Sequence, residues 1–223
     1  MFFIDLSHTI ENGLITYKGF PAPVICDYLS REQSRQHYAP GTEFQIGKIE
    51  MVANTGTYID VPFHRYAGGK DFSRVEVDRF TGLEGMLIDA SRAEGRAIGE
   101  DFFKPHDLRN KAVLVRTDWS RHWATEQYFE GHPFLTAEAA EHLRSEGALL
   151  VGIDSLNIDD TSDKERPVHS ILLAAEILIV EHLCNLDRLP AGDFFFHAVP
   201  PKIKGMGSFP VRAFAAIEED VKK

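Results

Sequence analysis

The chain is expected to fold as a mixed α/β domain, a strand-rich sheet covered by a few helices, and three observations predict it. Short runs rich in Val, Ile and Phe recur along its length, each bounded by Gly, Pro, Asn or Asp. Only two segments carry clear helix signals. The strands do not alternate strictly with helices, which argues against a Rossmann or TIM arrangement and for a mixed sheet. G-x-G-x-x-G, the Walker loop and G-x-S-x-G are all missing from the sequence, so nucleotide folds and the α/β-hydrolase elbow have no support.

The expected strands cover residues 23–28, 44–52, 86–89, 112–116, 149–153, 177–181, 194–199 and 211–217. A helix is expected over 137–145, with Thr136 as its N-cap and Gly147 as its stop. A second helix, 169–175, follows Pro167 and is apolar along one side; a third is expected near 99–103 or 106–110. With no repeat, low-complexity stretch or linker, residues 1–223 read as one domain. Its size supplies a core without disulfides or a structural metal.

Lys and Arg total 24 against 34 Asp and Glu, a net charge of −10. That sign repels phosphate backbones and anionic headgroups, so neither nucleic acid nor a membrane is an expected partner. No apolar run approaches the ~20 residues of a membrane span. The opening residues lack a basic region and reach Asp5 at once, unlike a signal peptide. Cys26 and Cys184, far apart, read as free thiols in a reducing cytoplasm.

The chemistry concentrates in the segment from Asn54 to His64. In an extended chain Asn54, Tyr58, Asp60 and His64 share one face, while Thr55, Thr57, Ile59, Val61 and Phe63 share the other. One side suits burial; the other gathers an amide, a phenol, a carboxylate and an imidazole. Pro62 forbids a helix here, and Gly56 allows a turn or close approach. A half-exposed edge strand with a polar outer face fits the same pattern.

The segment resembles the signature His-x-Gly-Thr-His-x-Asp-x-Pro-x-His of the cyclase family of metal-dependent hydrolases, which includes bacterial kynurenine formamidase and isatin hydrolase. Gly56, Thr57, Asp60, Pro62 and His64 match it, whereas Asn54 and Tyr58 stand where its first two histidines belong. Further family landmarks follow in order: Asp5-Leu6-Ser7, Leu114-Val115-Arg116-Thr117, Gly152-Ile153-Asp154-Ser155, the His169-x-x-Leu172-Leu173 run, Ile179-Val180-Glu181, and Gly205 through Pro210-Val211-Arg212. The resemblance implies a barrel-like mixed sheet flanked by helices, the swivelling β/β/α fold, in a homodimer or higher homo-oligomer.

It also implies roles. Asp60 corresponds to the shared metal carboxylate and His64 to the acid/base in proton transfer. His169 and Glu181, twelve residues apart, correspond to a later pair of ligands. An amide and a neutral phenol are poor zinc ligands. The expectation is therefore one divalent ion, Zn or Mn, on Asp60, His169 and Glu181, with Tyr58 donating to a developing oxyanion and Asn54 orienting water. Taken singly, His169 also fits a helix-end imidazole bonded to backbone, and Glu181 a strand-end charge. His182 is expected to be structural. His8, His37, His106, His122, His132, His142 and His197 have no ligand-like spacing.

Trp119, His122 and Trp123 could wall an aromatic substrate or simply pack. Arg65 and Arg212 could bind a substrate carboxylate or do nothing specific. The implied activity is hydrolysis of a small-molecule amide or lactone carbonyl, an aryl formamide such as N-formylkynurenine of tryptophan catabolism being the family's best-known substrate. The alternative is a metal-free small-molecule binding protein on the same scaffold, its catalysis lost with the two histidines.

Overall fold

The first strand of the main sheet pairs with the last. The computed structural model describes residues 1–218, so residues 219–223 of the expected domain lie outside the described residues. The strands are β1 (Phe2–Asp5), β2 (Val24–Leu29), β3 (Ile46–Glu50), β4 (Tyr58–Asp60), β5 (Leu83–Asp89), β6 (Ala97–Ile98), β7 (Ala112–Arg116), β8 (Phe134–Leu135), β9 (Leu150–Ile153), β10 (Leu178–Glu181), β11 (Phe194–His197), β12 (Ser208–Pro210) and β13 (Phe214–Ile217). The helices are α1 (Arg31–Ser34), α2 (Ala137–Glu146) and α3 (Pro167–Ala174).

Nine strands form one curled mixed sheet in the order β1-β13-β11-β5-β7-β9-β10-β4-β12. Its centre, β5 through β10, is parallel, and both wings are antiparallel. Parallel neighbours need crossovers, and α2 and α3 supply them between β7, β9 and β10. Over this central stretch strand and helix alternate only from α2 to β10; β8 intervenes between β7 and α2, and among the described residues no α-helix joins β5 to β7. The helix ends carry their expected signals: Thr136 caps Ala139 N at 3.2 Å, and Gly147 closes α2 at φ 77°. The third expected helix is only a 3-10 turn, Glu100–Phe102.

Side-chain alternation divides the core between the two faces of the sheet. Leu114 and Val180 point to one face, where Ile59, Val61, Phe194 and Phe196 join them. Val113, Val115, Val151 and Ile179 point to the other, against Leu143 of α2 and Leu172 and Leu173 of α3. The expected strands 23–28 and 44–52 stay out of this sheet and form a separate two-stranded ribbon, β2–β3. Tyr28, Ile46 and Ile49 on that ribbon are exposed.

Candidate metal and catalytic site

The site lies on the helix-covered face, where strands β12, β4 and β10 run side by side. Register sets its rows: Ser208, Asp60 and Ile179 are aligned across the three strands, as are Pro210, Tyr58 and Glu181. Directly paired residues point to the same side of a sheet, so Asp60, Tyr58, Glu181 and Ser208 face α3 together. All four are buried. The extended stretch expected from 54 to 64 is shorter than its pattern suggested. Gly56 turns the chain before β4 at φ 67°, where a side chain would meet Ile10 Cγ1 at 2.7 Å. After β4, Pro62–His64 winds into a 3-10 turn closed by His64 N to Val61 O at 2.8 Å. The turn still returns His64 to the Asp60 face, its Nδ1 lying 3.8 Å from Asp60 Oδ1.

His169 comes from the first turn of α3. Its N-cap, Arg166, offers no side-chain cap; instead the Asp159 carboxylate accepts from Val168 N at 2.8 Å and His169 N at 3.0 Å. The same carboxylate takes the His169 Nδ1 proton at 2.6 Å, so Nε2 is left facing the strands. Nε2 lies 3.6 Å from Asp60 Oδ2 and 3.7 Å from Glu181 Oε1, too far for hydrogen bonds. Burial works against a charged His169, but Asp159, Asp60 and Glu181 hold its pKa up at about 10. Burial and the Asp60 charge push Glu181 above the usual carboxylate range, against the pull of His169.

This arrangement suits a divalent cation. Asp60 Oδ2 is buried and has no hydrogen-bond partner among the described residues, which is costly unless a positive group faces it. One imidazole with its other nitrogen tied to a carboxylate is how metal-ligating histidines are commonly held. Asp60, His64 and His169 offer ligand atoms all within 4.8 Å of one another, the group of that kind among the described residues. Glu181 stands beside His169, outside that group. Its Oε1 accepts from Ile158 N at 2.6 Å, and its Oε2 accepts from Asn157 Nδ2 at 3.3 Å and from the Tyr58 hydroxyl.

A cavity of about 230 Å³ opens above these groups. Asn54, Tyr58, His64 and His169 form one polar side, Tyr17 and Phe20 an aromatic wall, and Arg65, Lys164 and Arg166 a cationic rim. Residues 4–160 match the protein family described as "Putative cyclase". The chain belongs to the cyclase family. A kynurenine formamidase of Bacillus cytotoxicus is 32% identical over 215 residues, and the match covers 95% of each chain. That of Bacillus cereus is 32% identical over 212 residues with the same coverage. A solved structure titled as a potential metal-dependent hydrolase with cyclase activity is 26% identical, with a TM-score of 0.78 over 96% of both chains. Isatin hydrolase A of Labrenzia aggregata shares the fold, with a TM-score of 0.84 at 23% identity over 97% of this chain and 94% of its own. The relatives and neighbours of this cyclase-family chain carry names of hydrolases and formamidases.

The cyclase-family chain departs from its signature where the sequence said it would. Tyr58 is fully enclosed, and burial with the Glu181 and Asp60 charges raises its pKa well above that of a free phenol. It is a neutral donor to Glu181, with Asn54 as its other partner. Trp119, His122 and Trp123 do not line the cavity. Trp123 stacks on His8, ring centroids 3.9 Å apart, and meets Tyr128 and His182 edge-on. Packing is their role. Arg65 reaches the cavity and donates to Ser170 Oγ at 3.0 Å, whereas Arg212 pairs with Asp5 elsewhere. Asp159, Ser208, Tyr17, Phe20, Lys164 and Arg166 went unremarked in the sequence. Only Asp159 had a signal, a carboxylate ahead of Pro167 where a helix N-terminus needs an acceptor.

Proposed function

We propose that this protein hydrolyses a carbon–nitrogen bond in a small aromatic amide, of the aryl formamide or cyclic amide type, with a lactone carbonyl as the related case. The observation that carries this reading is the partnerless Asp60 Oδ2 facing His169 Nε2 at 3.6 Å beneath an aromatic-walled cavity. Cavities of about 150 Å³ elsewhere accept a benzene ring, so this one has room for a ring and a substituent. The kynurenine formamidase relatives support an N-formylkynurenine-like substrate.

One divalent ion, Zn or Mn, would be held by Asp60 and His169 with Glu181 alongside, and when bound it supplies Lewis acidity toward the carbonyl and a more acidic water. The chain's own groups do the rest. Asp159 fixes His169 so that Nε2 faces inward. Tyr17 and Phe20 hold an aromatic ring, and Arg65 and Arg166 attract an anionic substituent. His64 takes a proton from the attacking water and returns one to the departing nitrogen. Tyr58 offers its hydroxyl to a developing oxyanion once it leaves Glu181, and Asn54 orients the nucleophilic water. Two separate thiols suit the cytoplasm, and the exposed ribbon supports a homodimer.

The test is an assay of metal-loaded protein on N-formylkynurenine, isatin and simple aryl formamides, with metal analysis of the same sample. Turnover with about one ion per chain supports the hydrolase. A protein that retains no Zn or Mn after reconstitution and turns nothing over is the metal-free binding protein, a reading favoured by the three donors that already satisfy Glu181.

A further inference from the structure

We propose that Ser208 is a positioning residue that ties Asp60 to His64 and fixes the tautomer of the His64 ring. This rests on His64 being the acid/base of the reading above. The Ser208 hydroxyl contacts Asp60 Oδ1 and lies 2.7 Å from His64 Nδ1. An ionised carboxylate only accepts, so the single hydroxyl proton goes to Asp60. The oxygen of Ser208 is then left with lone pairs alone toward His64, and Nδ1 must supply the proton of that second bond. The ring is therefore Nδ1–H, with the lone pair on Nε2, the nitrogen free to meet a proton in the cavity.

The backbone enforces this contact. Ser208 is aligned with Asp60 across β4 and β12, and Val61 N donates to Gly207 O at 2.8 Å, which binds the 3-10 turn to that strand. Residue 207 must be glycine: a Cβ there would lie 2.3 Å from His64 N and 2.5 Å from its Cα. Gly207 lets the turn close on the strand, and Ser208 holds the ring it delivers. Asp60 thereby serves two partners, Oδ1 for the Ser208–His64 chain and Oδ2 for the charge beside His169. Neither the motif nor its spacing shows this link, because Ser208 is 148 residues from Asp60.

The experiment is long-range ¹H–¹⁵N correlation of the imidazole nitrogens in the full chain, metal-loaded with Zn, at a pH where the His64 ring is neutral. His64→Gln identifies the signal. The wild type should show a protonated Nδ1 and a bare Nε2. Ser208→Ala should shift His64 toward the Nε2–H form that free imidazole side chains favour in water, and Ser208→Thr should restore the wild-type pattern. Zinc content should be unchanged in both, while Ser208→Ala turnover falls by roughly 10- to 100-fold, the usual effect of losing such an outer contact. Protonated Nε2 in the wild type, or an unchanged tautomer in Ser208→Ala, overturns the proposal. The wild-type spectrum decides even if the variants fail to fold. Because the spectrum needs no substrate, failure of the hydrolase reading would appear separately, as absent turnover with the tautomer as stated.

Discussion

Tyr58 occupies a position where the family signature places an imidazole, and its hydroxyl is given to Glu181. Asn54→His with Tyr58→His should add two nitrogen donors to the face that holds Asp60 and take one of the two donors from Glu181 Oε2, leaving Asn157 there. Calorimetric Zn²⁺ stoichiometry is then expected to rise from one per chain toward two; a folded double variant that still binds one would show that these positions do not reach the metal. The roles of Asp60 and His64 separate in the same way. His64→Ala should keep its metal and lose turnover by about 10²–10⁴, while Asp60→Ala should lose both, as read by metal analysis beside the assay. Loss of metal from His64→Ala would instead make His64 a ligand, as its place in the Asp60–His169 group allows. Burial pulls the His182 pKa down to about 3, with His8 adding to the effect, and burial lowers His8 to about 4. Both rings are neutral when folded and bind protons when unfolded, so their contribution is complete above about pH 6.5 and is lost as the pH falls toward 4 and 3. For His182 the slope is about 1.4 kcal/mol per pH unit in that window. His182→Gln should flatten the fall in melting free energy between pH 6.5 and 4.5; an unchanged slope would place the acid sensitivity elsewhere. Asp60, His64, His169 and Glu181 could be named from the sequence because its resemblance to the cyclase family marks those positions. Asp159 and Ser208 could not, because they are ordinary polar residues until helix entry and strand register give them partners.

At the level of elements, the sequence was most legible where a strand is buried on both faces. The run Ala112–Arg116 has the bounds expected of it, since its Val and Leu residues face two cores at once. The run 211–217 was misread in extent: only Phe214–Ile217 joins the ladder, and Ser208–Pro210 forms a separate strand on the opposite wing. Val211 and Ala213 are buried without strand pairing, so hydrophobicity alone cannot reveal the break. The short strand β12 was invisible for a related reason, since a Ser-Phe-Pro triplet has no periodicity to read. That strand nevertheless controls the turn carrying His64. Gly207→Ala should destabilise the protein by about 1–3 kcal/mol, the range for inserting a methyl group where there is no room, and should impair turnover, because the overlap is with backbone rather than a flexible side chain. A variant with unaltered melting temperature and activity would show that the turn has slack.

For the whole molecule, the sheet runs from an edge at β1, paired with β13, to an edge at β12, and the proposed site collects residues from β4, the turn after it, α3, β10 and β12. An ion bound there should therefore stabilise the entire sheet rather than one loop. At a free Zn²⁺ concentration 100 times the dissociation constant, the gain is about 2.7 kcal/mol. Removing the metal with a chelator should lower the melting temperature of the wild type and leave that of Asp60→Ala unmoved; equal shifts in both would mean the ion sits elsewhere. The order of the strands has a bearing on synthesis. Asp60 and His64 leave the ribosome early, but His169 and Ser208 follow more than a hundred residues later, so the nascent chain carries half a binding site through most of its translation. The choice of any ion at the proposed site is consequently deferred until Ser208 has been made and the sheet has folded, and it would reflect the free-metal pool at that moment.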